Sequence, residues 1–309
     1  MPAKQVSFLF VWYVLYYENN MLNVVYHIAF VAIGIRLQTN HVLHGIIEYE
    51  KRGKFLVEQK HNETPWTIQQ TFTGILFTLV PWIAFALGLS LLSPRPTHTG
   101  ALPPQVDLTN AIVVFIFSSL IEGAFLIAPF YFASRAFRST THRTRSTFEA
   151  LGFRSFNVGS ALFWIILLFF AVLITNALYQ EIINVLHLPL QTNDQVILEQ
   201  AKNAPLTTYA TLLAGVVVAP FCEEIFFRGF VFPGLLRGMP LGWAIVLSSL
   251  IFAVAHADPG SFAVLFVIGL ALAFLRWHTR SIWPGMLLHL LNNGIGVLLI
   301  VLSMQGIIH

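Results

Sequence analysis

The chain has 309 residues, of which 56% are hydrophobic and 10% charged, with a net charge of +3 and a mean hydropathy of +0.73. Soluble domains carry about a quarter of their residues as charges, so this composition specifies an integral membrane protein and gives no signal for nucleic acid as a partner. The single cysteine, Cys222, excludes a disulfide framework and a cysteine-rich metal site.

Two short apolar stretches come first, at 7–17 and 21–35. No small-residue cleavage site follows the first, and the pair fits one broken span, a hairpin or an interfacial element. Seven stronger segments follow at 71–92, 111–133, 159–179, 207–227, 241–257, 261–275 and 283–303. Most approach the ~20 residues a helix needs to cross a bilayer, while 241–257 and 261–275 are short. The expected fold is all-α, a polytopic membrane bundle of about seven to eight transmembrane helices. Long connections occur at 36–70 and 134–158, and no repeat or soluble domain is apparent. The expected divisions are an N-terminal part at 1–70, accessory transmembrane helices at 71–204 and a C-terminal part at 205–303.

Single crossings by all seven segments place fourteen of the seventeen Lys and Arg residues on one side. Arg95 and Lys202 fall on the other side, and Lys4 is left over. The positive-inside rule makes the basic side cytoplasmic, in a plasma-membrane protein.

The fourth strong segment runs into "APFCEEIFFRGF", where Glu223, Glu224 and Arg228 interrupt apolar sequence. Each charge at mid-membrane costs about 2.5–3.5 kcal/mol on an insertion scale. Glu224 and Arg228 are four apart and share a helical face, with the acid on the better, N-terminal side. Glu223 points roughly 100° away and has no arginine at that spacing. One carboxylate is thus neutralised and the other free. A free carboxylate there suits a proton relay or a general base that takes a proton from water; the plainer alternative is a set of interfacial charges snorkelling into headgroups.

Two further segments bear on the choice. "FAVAH" ends the fifth strong segment with His256, and "HLLNN" puts His289 and Asn293 on one face of the last, with Asn292 close by. Ionisable residues within a membrane usually face a bundle interior or wet cavity and mark function. A carboxylate polarises water, one histidine orients it, and a second histidine with an amide stabilises an oxyanion. Such a set hydrolyses an acyl bond without a protein nucleophile.

"EEIFFR" fits an EExxxR motif, "FAVAH" fits FxxxH from Phe252 to His256, and "HLLNN" fits HxxxN. In this order on successive helices they resemble the CPBP family of CAAX proteases and bacteriocin-processing enzymes, also called Abi, over about residues 205–303. The resemblance implies an intramembrane endopeptidase with a hydrated cavity among its helices. It implies Glu223 as the water-activating base, His256 as a water ligand, and His289 and Asn293 as oxyanion donors. Glu224 and Arg228, with the motif residue Phe252, would give structural support. Substrates would be membrane-associated, such as a prenylated protein or a peptide precursor, and lipid is the surrounding partner.

Upright helices starting at the membrane surface would set His256 far deeper than Glu223, so the helix bearing His256 is expected to tilt or to begin in the cytoplasm. No cofactor is expected. Zinc is the alternative, held by Glu223, His256 and His289, which are adequate ligands in type. HExxH, GxSG and GxGD are all absent from the sequence. A proton-coupled transporter with Glu223 as carrier, and a non-catalytic scaffold, are the non-enzyme alternatives; Glu122 is the other acid well inside a span. His41, His44 and His61 are expected to be solvated, and the sequon at Asn62–Thr64, followed by Pro65, is discounted. Cys222 is expected to be a small core residue.

Overall fold

The computed structural model describes residues 64–92, 100–139, 146–188, 190 and 193–307. The stretches 7–17 and 21–35 and the histidines at 41, 44 and 61 lie outside the described residues. Residues 63–309 pack as one unit. Regular structure among the described residues is helical: α1 Ile68–Leu92, α2 Pro104–Ala124, α3 Ile127–Ser139, α4 Thr147–Ala150, α5 Val158–Val185, α6 Asn193–Ala201, α7 Pro205–Leu236, α8 Leu241–Ala255, α9 Phe262–Thr279 and α10 Trp283–Met304.

Six helical stretches are long and apolar enough to cross a bilayer, and α8 is a shorter apolar helix. The protein is a polytopic helical membrane protein. Large apolar side chains such as Phe77, Leu120, Phe163 and Trp243 point outward, as a lipid-facing surface requires. The segment expected at 111–133 divides at Phe125, where α2 ends and α3 begins after one turn. The segment expected at 207–227 extends to Leu236, past the charges and past Pro233.

Helix α7 is the axle of the bundle. Half of its most apolar window is buried inside the protein, against 17% for α5. It contacts α1, α2, α3, α8, α9 and α10. Phe226, Phe227, Phe230 and Phe232 on α7 are fully buried or nearly so, and the first three form a ring-to-ring network with Phe125, Phe132, Trp66 and Phe252.

Polar ties fix the position of α7. Its N-terminus has no side-chain cap of its own. Asp107 on α2, buried, accepts from the Leu206 N–H at 2.8 Å, the Thr207 N–H at 3.0 Å and the Thr207 hydroxyl at 2.7 Å. It satisfies donors that any helix start leaves open. At the other end, Arg237 donates to the carbonyls of Thr64 and Trp66, and Trp66 Nε1 donates to Phe230 O. The segment after α4 is tucked inward: Leu151 is fully buried, Ile282 N–H donates to Gly152 O, and Ser281 Oγ donates to Arg154 O. Gly229 permits this approach, because a β-carbon there would lie 2.9 Å from Leu151 O.

Candidate active site

Helix α7 changes register twice around the two glutamates. Ala214–Val218 and Glu224–Val231 are π-helical and flank an α turn at Ala219–Glu223. In π register a carbonyl accepts from the N–H five residues on. Ala219 N–H bonds to Ala214 O, and Phe232 N–H bonds to Phe227 O. The next carbonyls, of Gly215 and Arg228, would need donors from residues 220 and 233. Both are proline, which has no N–H. Another helix fills each vacancy: Asn293 Nδ2 on α10 donates to Gly215 O at 3.0 Å, and Arg276 Nε on α9 donates to Arg228 O at 3.0 Å. Two proline-ended π turns are therefore clamped by neighbouring helices, with Glu223 and Glu224 between the clamps.

Glu224 is fully buried and ion-paired to Arg228 at 3.0 Å. The guanidinium also donates to Gly269 O and lies 4.3 Å from the centre of the Phe252 ring. A β-carbon on Gly285 would sit 2.7 Å from Glu224 Oε2, so glycine there leaves room for the carboxylate. His289 Nδ1 lies 3.2 Å from Glu224 Oε1. Phe252 also supports the second histidine, since its carbonyl lies 2.8 Å from His256 Nδ1 and its ring packs on the imidazole.

These contacts fix the histidine tautomers. A backbone carbonyl and an arginine-paired carboxylate only accept, so Nδ1 carries the proton in both rings. In the neutral rings each Nε2 then presents a lone pair. Both point at one atom: Glu223 Oε2 is 3.7 Å from His256 Nε2 and 3.8 Å from His289 Nε2. That oxygen is buried and has no hydrogen-bond partner among the described residues. Three acceptors converge with no donor among them. A water fits this electrostatic demand, because it gives one hydrogen to Glu223 and the other to a histidine while its own lone pairs stay free.

The structure thus gathers Glu223, His256 and His289 around one atom. His256 stands at the end of α8, whose 15 residues span about 22 Å, less than the ~30 Å hydrocarbon core. The 3.7 Å approach of His256 Nε2 to Glu223 Oε2 puts the two side chains at one level. Asn293 is held differently from the other three. One amide hydrogen is committed to Gly215 O, and Asn292 donates to its Oδ1 at 3.4 Å. The N–H of neutral His289 is committed to Glu224, so donation from His289 to an oxyanion requires its imidazolium form.

As to metal, the donor types suit zinc. The separations of 3.7 and 3.8 Å exceed the roughly 3.3 Å between ligands on a tetrahedral zinc. Among the described residues, no group of three His, Cys, Asp or Glu is gathered to hold a metal ion.

Residues 205–295 match the family described as "Type II CAAX prenyl endopeptidase Rce1-like". The matched span contains both clamps and the whole acceptor cluster. Over this span, about the C-terminal third, the chain is similar to that family of membrane proteases. A Bacillus subtilis protein, "Putative membrane peptidase YdiL", is 33% identical over 101 residues, which are 33% of this chain. The chain spans 40% of the length of that relative. No solved structure matches the chain.

Four contributors to the surroundings of this site are not anticipated from sequence: Asp107, Arg276, Gly269 and Gly285. The prolines after each π turn were a usable signal for Arg276, since a helix-interior proline always leaves a carbonyl to be satisfied. Cys222 is buried beside Glu223 and packs in the hydrophobic core, as its size suits.

Proposed function

We propose that this protein is an intramembrane endopeptidase that hydrolyses a peptide bond by glutamate-activated water. The observation that carries this is the convergence of Glu223 Oε2 with two histidine Nε2 atoms, all acceptors, at 3.7 and 3.8 Å. The bound water gives a proton to Glu223 as its oxygen attacks the scissile carbonyl carbon, and His256 orients it. The water is held by Glu223 and His256, while His289 takes a proton from solvent on Nε2 before the attack and keeps it; that Nε2–H and the second amide hydrogen of Asn293 meet the oxyanion. Glu223 then returns the proton to the leaving amine. Glu224 and Arg228 hold His289 and act only through it. The substrate is a membrane-associated or prenylated CAAX-like protein, or a peptide precursor. The basic loops face the cytoplasm at the plasma membrane, and lipid surrounds the bundle. No metal takes part in the step; a zinc held by Glu223, His256 and His289 would instead supply Lewis-acid chemistry, and activity that follows zinc content would mark that case.

The test is cleavage by purified protein in detergent of a farnesylated CAAX peptide and a panel of leader peptides, read by mass spectrometry. Cleavage by wild type, reduced by about 10²-fold or more in Glu223→Ala, is expected for loss of a general base. Equal cleavage by both would refute the assignment. Proton flux in liposomes without cleavage would favour the transporter.

A further inference from the structure

Four buried side-chain oxygens lack a hydrogen-bond partner among the described residues: Glu223 Oε2, Glu224 Oε2, Ser119 Oγ and Glu122 Oε2. The first two belong to the motif. The other two lie three residues apart on α2, close to one turn, and so share a face of that helix. Helix α2 packs against α7 along its first turn, its first π turn and the Ala219–Glu223 turn. Glu122 interacts electrostatically with both Cys222 and Glu223. Helix α2 thus brings its orphaned oxygens to the side of the bundle on which it packs against the Ala219–Glu223 turn.

Buried polar atoms in a membrane-spanning helix are satisfied by protein or by ordered water, since hydrocarbon offers nothing. Among the described residues no group satisfies Ser119 Oγ or Glu122 Oε2. A hydroxyl and a carboxyl one turn apart have the several polar partners that a buried water requires. Hydrolysis consumes one water per turnover, and water is scarce among apolar helices.

We propose that Ser119 and Glu122 form a water-binding site beside Glu223 that supplies the water spent in hydrolysis. This supply role rests on the hydrolytic function proposed above; the water site itself does not. Ser119 and Glu122 are positioning residues, since they touch the supply and not the substrate. The chemistry asked of residue 122 is hydrogen bonding to water, which an amide also provides and an alkyl chain does not.

The test is X-ray radiolytic footprinting of the full chain in detergent, in which radicals formed from bound water oxidise adjacent side chains. Cys222, only 4% exposed, is the reporter. The expected result is oxidation of Cys222 in wild type and in Glu122→Gln, with loss of the label in Glu122→Leu. Ser119→Ala, which removes only the hydroxyl oxygen, carries the same comparison should the leucine variant fail to fold. An unlabelled Cys222 in wild type, or undiminished label in both apolar variants, overturns the site. Peptide cleavage on the same samples separates the two claims. The supply role predicts a lower kcat with unchanged KM in Glu122→Leu and rescue in Glu122→Gln; full kcat without the label refutes it. A labelled wild type that cleaves no peptide contradicts the protease and leaves the water site standing.

Discussion

Replacing Asn293 with alanine leaves Gly215 O without its donor at 3.0 Å, because the residue that would otherwise supply one is Pro220. Gly215 is half-buried, and an unsatisfied carbonyl there costs toward the lower end of the roughly 1–3 kcal/mol of a fully buried one. At about 2–4 °C per kcal/mol for a domain of this order of size, the thermal midpoint falls by a few degrees. Restoring the missing N–H with Pro220→Ala gives the carbonyl a backbone donor in the π register already present. That change alone forfeits about 0.4–1 kcal/mol of proline rigidity. In the Pro220→Ala background, Asn293→Ala then costs little, and the two sites are coupled by about 1 kcal/mol. Activity behaves differently. If the second amide hydrogen of Asn293 serves the oxyanion, its loss reduces kcat by about 10²–10³-fold, and Pro220→Ala does not restore it. Thermal unfolding of the four proteins in one detergent, with peptide cleavage alongside, reads both effects. Additive shifts in stability would refute the carbonyl-filling account of Asn293.

Other outcomes follow from the same geometry. Gly285→Ala places a methyl 2.7 Å from Glu224 Oε2; overpacking of this kind costs about 1–3 kcal/mol, and displacing Glu224 frees His289, so kcat falls more than KM changes. Arg228→Lys keeps a charge but loses the planar fork that reaches Glu224 Oε1 and Gly269 O together. The variant is expected to be less thermostable and nearly inactive, and wild-type stability would contradict the clamp. Asp107→Ala removes the cap on α7 and costs about 0.5–2 kcal/mol. Because the cap lies sixteen residues before Glu223, its stability loss should exceed any fall in kcat at low temperature.

The residues of the candidate site are legible because each is polar in an apolar run. Glu223, His256, His289 and Asn293 stand out against hydrocarbon-like sequence, and the four-residue spacing correctly paired Glu224 with Arg228. The pairing persists at 3.0 Å although the segment is π-helical. Less visible was anything that depends on backbone register. The π turns carry no composition of their own, so the bonds from Asn293 to Gly215 O and from Arg276 to Arg228 O could not be assigned from spacing. Hydropathy ended α7 at residue 227 because charges and proline follow, whereas the helix continues to Leu236, its charges paired and its prolines compensated. Asp107 reads as an ordinary first-turn acid of α2, and only tertiary packing shows it capping α7. The connection at 134–158 reads as an exposed basic loop, yet Leu151 is wholly buried against Gly229.

The central claim is that Glu223 activates a water held beside His256 and His289. Its most direct test is single-turnover cleavage by metal-stripped wild type and by Glu223→Gln, which keeps the shape of the side chain and cannot take a proton. The account predicts full cleavage by stripped wild type and a loss of about 10²-fold or more in the glutamine variant. Comparable rates in the two proteins, or wild-type activity that returns only with added zinc, would contradict it.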